Sequence, residues 1–300
     1  MIATVSLNPS LDYIAQVKNF TIGSLNRTEK ELILPGGKGT NVSIVLKNLG
    51  SPTKAFGFCA GFTGEEFKRL LREEGVDSSF ITVKEGMTRI NIKIQGEKET
   101  EVNGMGPLIA PVEIESLFDQ LDLLQPEDIL VLAGSIPTTL PSHIYKDIMV
   151  RLKDKHIKVV VDTTKERLLH VLPLHPFLIK PNIVELEELF EISIKNEEEI
   201  ITYAKKLQDM GAVNVLISRG KDGALLIDEH QTIHKAPAVG GKVVNSVGAG
   251  DSMVAGFLHG YLMHQEYEEA FKMGLCAGGA SACSTYLATK EEIEKLYQTL

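Results

Sequence analysis

The chain contains no tryptophan and only three cysteines in 300 residues. Cys59, Cys276 and Cys283 form neither a metal-ligand spacing nor a Cys-x-x-Cys redox pair, their number is odd, and they make no disulfide framework pattern. That usage fits a reducing compartment, with Cys276 and Cys283 reading as buried apolar residues in small-residue helical sequence. Histidine offers no metal site either: His143, His156, His170, His175 and His234 are scattered without ligand spacing. No apolar run reaches the length of a membrane span. The opening Met1-Ile2-Ala3-Thr4-Val5-Ser6-Leu7 lacks a basic region and a cleavage site, so it reads as a strand and not a signal peptide. Positive charge is in deficit, with 31 Lys and Arg against 40 Asp and Glu and a formal net charge of −9. Without a broad basic face, nucleic acid and acidic membrane surfaces are disfavoured as partners. A small anionic ligand stays open, provided a few cations converge. These absences lead to the expectation of a cytoplasmic protein.

What is present is a globular composition, 43% hydrophobic and 24% charged, enough for one large domain or two small ones. Apolar strand runs (Ile129–Leu132, Lys158–Val161, Phe177–Ile179, Val213–Ile217) alternate with helical periods (His143–Leu152, Lys165–Val171, Ile183–Phe190, Glu197–Met210). Runs of this kind predict a parallel sheet covered on both faces, a doubly wound α/β core. Two early pairs differ. Asp12–Val17 with Arg27–Leu34, and Arg89–Gln95 with Lys98–Val102, alternate apolar with polar residues and read as antiparallel hairpins with one wet face. Together they predict a small inserted sheet that covers a site or pairs with a second subunit. The expected division is an α/β core of residues 1–8, 36–85 and 107–300, and a β-sheet lid of residues 9–35 and 86–106. Two nearly all-apolar helices, Asp251–Met263 and Glu268–Tyr286, close the chain.

The most telling stretch is Val243-Val244-Asn245-Ser246-Val247-Gly248-Ala249-Gly250-Asp251-Ser252. A β-branched run, a glycine turn and a helix start form an anion hole from unbonded first-turn N–H groups and the positive helix dipole. A carboxylate there repels a phosphate. Asp251 therefore reads either as a helix cap or as a base for a hydroxyl attacking phosphorus. Gly-x-Gly-x-x-Met breaks the dinucleotide-binding pattern at its third glycine. Pro35-Gly36-Gly37-Lys38-Gly39-Thr40-Asn41 fails as a P-loop, because Gly follows the lysine and the upstream glycine is missing.

These motifs together resemble the ribokinase-like (PfkB) carbohydrate kinase family over essentially the whole chain. The Gly36–Asn41 and Ser246–Asp251 regions match the family's two signatures in order and spacing. Asn8-Pro9-Ser10-Leu11-Asp12, Thr88-Arg89-Ile90-Asn91 and Gly134-Ser135-Ile136-Pro137 resemble the branch that phosphorylates sugar phosphates. Asn41-Val42-Ser43 and Val247–Gly256 are more similar to its 1-phosphofructokinase members than to tagatose-6-phosphate kinases, although Ile44 stands where many relatives carry Arg. The resemblance implies a ribokinase-like, mostly parallel doubly wound sheet flanked by helices, with the inserted sheet as lid and a homodimer contact through it.

It also implies roles. Asp251 is the general base, and the Gly248, Ala249 and Gly250 N–H groups stabilise the transferring phosphoryl group. Asp12 holds sugar hydroxyls, unless it only forms a turn after Pro9-Ser10. Lys38 and Arg89 clamp the phosphate already on the substrate, and Gly37 is a further substrate contact. Asn41, Asn91 and Ser135 are further substrate contacts, with Asn41 equally able to cap a helix over Val42–Leu49. Lys180-Pro181-Asn182-Ile183-Val184-Glu185 resembles the family's Asn-Pro-x-x-Glu element with the proline shifted. Lys180 and Asn182 then face ATP, and Glu185 acts on Mg²⁺ through water. Ser218, Gly220 and Gly223 of Ser218–Gly223 cover the nucleotide, in residues that also suit a hairpin turn. The implied reaction is ATP- and Mg²⁺-dependent phosphorylation of fructose 1-phosphate. Tagatose 6-phosphate is the competing substrate, and a non-catalytic sugar-phosphate or nucleotide sensor the competing class.

Overall fold

A computed structural model of the chain describes residues 1–97 and 99–300. It opens with β1 (Ile2–Ser6), β2 (Ser10–Gln16), β3 (Lys30–Gly36), α1 (Lys38–Asn48), β4 (Thr53–Ala60), α2 (Gly61–Glu73), β5 (Asp77–Val83), β6 (Arg89–Gln95), β7 (Thr100–Asn103) and α3 (Pro111–Leu121). Strands and helices then alternate through β8 (Ile129–Ala133), α4 (Ile144–Leu152), β9 (Lys158–Asp162), α5 (Glu166–Val171), β10 (Leu178–Ile179), α6 (Ile183–Phe190), α7 (Glu197–Asp209) and β11 (Asn214–Ser218). A hairpin, β12 (Ala224–Ile227) and β13 (Ile233–Ala236), precedes α8 (Ala249–His264), α9 (Tyr267–Cys283) and α10 (Lys290–Tyr297).

The apolar strand runs are buried on both sides because successive side chains leave opposite faces. Ile129 and Val131 of β8 join a core under α1, α8, α9 and α10, while Leu130 and Leu132 join one under α3, α4, α5 and α7. The strands order as β13-β12-β11-β10-β9-β8-β1-β4-β5, parallel from β11 to β5, with β12 and β13 antiparallel at one edge. Ser218–Gly223 makes the turn from β11 into β12. The chain reaches β4 on one side of β1 and β8 on the other, so a crevice opens at the carboxyl ends of these strands.

A second sheet orders as β3-β2-β6-β7. Its two hairpins are antiparallel as expected, but β2 and β6 pair in parallel, which makes the sheet mixed. The cause is their origin. β2 continues from β1 and β6 from β5, and those parent strands run the same way. Its faces alternate: Asp12, Asn91, Lys93 and Glu101 line a cavity on the inner side. Tyr13, Ile33, Ile92 and Val102 form a cross-strand row on the outer side. The strand expected from Lys98 begins at Thr100, and Lys98 itself lies outside the described residues. The last long helix ends at Cys283 and not at Tyr286. Ser284 turns extended, and the Ala288 N–H donates to Ser281 Oγ at 3.0 Å, which folds the chain back. Among the described residues no helix is long and apolar enough to cross a membrane.

Candidate active site

Between the carboxyl ends of the parallel strands and the second sheet lies a cavity of about 750 Å³. A smaller one of about 210 Å³ adjoins it and shares Gly37, Lys38, Arg89 and Asn103. Every candidate residue from the sequence lines one of the two, Ser135 only the smaller.

Two helices begin at the larger cavity. Gly37 precedes α1 with φ 112° and Gly248 precedes α8 with φ 80°, backbone that favours glycine. Neither helix has a side-chain cap, so the first-turn N–H groups and positive dipole ends face the cavity. The Ala249 N–H is engaged by Ser246 O at 3.3 Å, which leaves Gly250 and Asp251 as the freer donors. Asp251 is therefore no cap. It lies within the first turn, 6% exposed, and its Oδ2 accepts a hydrogen bond from Asn41 Nδ2 at 2.7 Å. Asn41 sits inside α1 and does not cap it either. Burial and the neighbouring Asp162 carboxylate push Asp251 up to about 6, against the pull of Lys38, the Asn41 hydrogen bond and Lys180.

Asp162 and Lys93 are absent from the sequence candidates. Asp162 ends β9 one residue past the expected strand, 2% exposed; its Oδ1 accepts from Lys38 Nζ at 3.0 Å, and its Oδ2 lies 3.6 Å from Lys180 Nζ. Burial alone raises an aspartate, but the two ammonium groups outweigh it and hold Asp162 below its ordinary value. Burial alone lowers Lys38, and the Asp162 and Asp251 carboxylates reverse this and hold it well above its usual range. A Cβ on Gly250 would stand 3.0 Å from Lys180 Nζ, so glycine leaves room for the ammonium beside the first turn of α8.

On the second sheet, Asp12 is braced from three directions. Oδ1 accepts from Ser10 Oγ at 2.7 Å and Asn91 Nδ2 at 3.0 Å, and Oδ2 pairs with Lys93 Nζ at 2.9 Å. Asn91 thus orients Asp12, while its own Oδ1 is buried without a partner. Gly36 is glycine because a Cβ would fall 2.5 Å from Asp12 Oδ1. Arg89 donates from Nε to Asn8 O at 3.0 Å. Burial outweighs the nearby Asp12 and lowers its pKa, though a guanidinium keeps its charge.

Glu185 forms a capping box with Asn182: Asn182 N donates to Glu185 Oε2 at 2.9 Å and Glu185 N to Asn182 Oδ1 at 2.8 Å. Its second carboxylate oxygen remains for a cation. Among the described residues no group of three or more His, Cys, Asp or Glu is arranged to hold a metal. That chemistry fits Mg²⁺ carried mainly by water and phosphate, and not a protein cage. The wall from α9 and residues 238–243 is apolar, and the sequence candidates omit it. Cys283, expected to be buried, is half-buried there, with the Gly241 N–H donating to its Sγ at 3.1 Å.

Comparison with known proteins shows the family and the fold. The pfkB family carbohydrate kinase model matches residues 5–294. A 1-phosphofructokinase of Bacillus subtilis (strain 168) is 47% identical, over 99% of this chain and 97% of its own. A D-tagatose-1-phosphate kinase of Bacillus licheniformis is 38% identical, over 100% and 97%. The Escherichia coli phosphofructokinase-2 structure in complex with substrates and products superposes with TM-score 0.94 at 27% identity, covering 100% and 99%. An Arabidopsis thaliana ribokinase superposes with TM-score 0.80 at 17% identity, covering 99% and 98%, which shows the ribokinase-like fold.

Proposed function

Because this chain belongs to the pfkB family of carbohydrate kinases, we propose that it transfers the γ-phosphoryl group of ATP to the 6-hydroxyl of fructose 1-phosphate, giving fructose 1,6-bisphosphate. The observation that carries this is the Asp251 carboxylate, buried at the uncapped N-terminus of α8 and held by Asn41 at 2.7 Å. A pKa near 6 keeps Asp251 ionised at neutral pH and makes it a stronger base than an ordinary aspartate. It accepts the hydroxyl proton as the oxygen bonds to phosphorus. The freer first-turn N–H groups of Gly250 and Asp251, with Lys180 beside Gly250, receive the charge of the transferring phosphoryl group.

Asp12 takes sugar hydroxyls with the lone-pair capacity its three partners leave. The resident phosphate lodges in the smaller cavity, where Lys38 and Arg89 meet Ser135. Asn182, Ser218, Gly220 and Gly223 face the nucleotide. Glu185 would hold Mg²⁺ through water, and the ion would supply charge neutralisation to the nucleotide's phosphates. The second sheet acts as a lid, residues 9–35 and 86–106 moving against the core of residues 1–8, 36–85 and 107–300. Its outer apolar row pairs with a second copy of the chain.

The relatives' names support a ketohexose 1-phosphate. Fructose and tagatose differ only in configuration at C4, so tagatose 1-phosphate belongs beside tagatose 6-phosphate as a competitor. ADP formation with Mg²⁺-ATP and fructose 1-phosphate, fructose 6-phosphate and both tagatose phosphates decides among them. A large kcat/KM preference for fructose 1-phosphate is the expected result. A preference for either tagatose phosphate reverses the substrate, and ADP from none of them favours a non-catalytic sensor.

A further inference from the structure

Lys38 and Lys180 come from different elements and meet at one buried carboxylate. Asp162 is fixed at the end of β9, where the Gly134 N–H donates to its carbonyl at 3.3 Å. Its Oδ1 holds Lys38, the first residue of α1, at 3.0 Å. Its Oδ2 stands 3.6 Å from Lys180 and has no hydrogen-bond partner. Lys180 is itself 6% exposed and lies against Gly250. Two ammonium groups brought this close repel each other, and each loses hydration on burial. One carboxylate between them removes most of that cost and fixes their spacing. The charged groups facing Asp251 are Asp162, Lys38 and Lys180. Without Asp162, two cations act on Asp251 unopposed.

We propose that Asp162 is a positioning residue for phosphoryl transfer: it holds the Lys180 ammonium group at the N-terminus of α8 and the Lys38 ammonium group between the two cavities, and offsets their charge on Asp251. This rests on the proposed role of Asp251 as base. Asp162 itself touches no reacting atom. Its two effects separate chemically, because spacing depends on the reach of the side chain and the offset depends only on its charge.

The experiment is the pH dependence of kcat and kcat/KM for Asp162→Asn and Asp162→Glu in the full chain, with thermal melts to verify folding. Burial and Asp162 push Asp251 up to about 6, so the acidic limb of the parent enzyme is expected there. Asp162→Asn removes the charge, so the limb moves down by about 1–2 pH units, and kcat falls by roughly tenfold or more as the lysines shift. Asp162→Glu keeps the charge and changes the reach, so kcat falls while the limb stays. A folded Asp162→Asn enzyme with an unmoved limb overturns the proposal. If that variant does not fold, Asp162→Glu decides, and parental kcat in it overturns the proposal equally. Asp251→Asn serves as the control: full turnover there removes the base itself, a different failure from an unmoved limb in Asp162→Asn.

Discussion

An aspartate pushed up to about 6 costs the folded chain stability wherever it is ionised. The cost is absent below the ordinary value of 3.8, grows between 3.8 and about 6, and is complete above that. A shift of this size corresponds to about 3 kcal/mol. Asp251→Asn should therefore melt higher than the parent at neutral pH, with the gain vanishing as pH falls toward 3.8. The same variant should lose roughly 10²–10⁴-fold in turnover while still binding ATP and sugar phosphate. Denaturant melts across pH check the first part and ADP formation the second; equal stability at all pH values would deny that the site is strained. At the sugar end, Arg89→Ala should raise the sugar-phosphate KM about 10–100-fold and leave the ATP KM near parental. An equal effect on both would place Arg89 elsewhere in the reaction. Asp251 and Lys38 stood out because each sits in a glycine motif with a physical signature, and Arg89 through the family resemblance; all three line the larger cavity. Asp162 was not, since its meaning lies in Lys38, 124 residues away in the chain. The one local trace was a carboxylate closing the apolar run Lys158–Val161.

Elements were legible where burial imposes a period. β8, β9 and β11 are continuous apolar runs, and α4 and α7 carry one apolar stripe, so the pattern states both type and place. Pairing was less legible. The parallel joining of β2 to β6 depends on where β1 and β5 end, which no hairpin pattern contains. The break of α9 at Cys283 depends on Ser281 Oγ taking up the Ala288 N–H. Small residues in α8 and α9 suggested close packing, and the reason is steric. A Cβ on Gly256 would lie 2.5 Å from Met273 O and 2.6 Å from the Ala277 Cβ. Gly256→Ala gains about 1 kcal/mol of helix propensity but forces the helices apart at about 1–3 kcal/mol. The net expectation is a lower melting temperature together with a reduced kcat/KM, because the first turn of α8 lines the cavity. A higher melting temperature would show that the helices yield freely. If the second sheet closes over bound sugar phosphate, β6 and β7 should gain protection from hydrogen exchange when substrate is added. Unchanged exchange there would leave the sheet a fixed wall.

At the scale of the whole molecule, the second sheet has two faces with different demands. The inner one carries Asp12, Asn91, Lys93 and Glu101 into the cavity. On the outer one, Ile33, Ile92 and Val102 are 46%, 38% and 56% exposed, in a row with Tyr13 that crosses all four strands. A four-stranded sheet with an apolar face in water is poorly supported by itself. A two-fold axis through that face lets each copy cover the other with the same residues. Ile92→Glu places a charge at the middle of the row, where burial in a dimer is most costly. Sedimentation should show the parent as a dimer and Ile92→Glu as a monomer at the same concentration. The side chain points away from the cavity, so the monomer should retain kcat but show a raised sugar-phosphate KM, since the sheet that holds Asp12 has lost its support. A dimer that persists in Ile92→Glu puts the contact on another surface. A monomer with parental KM shows instead that pairing steadies the fold and leaves the sugar site untouched.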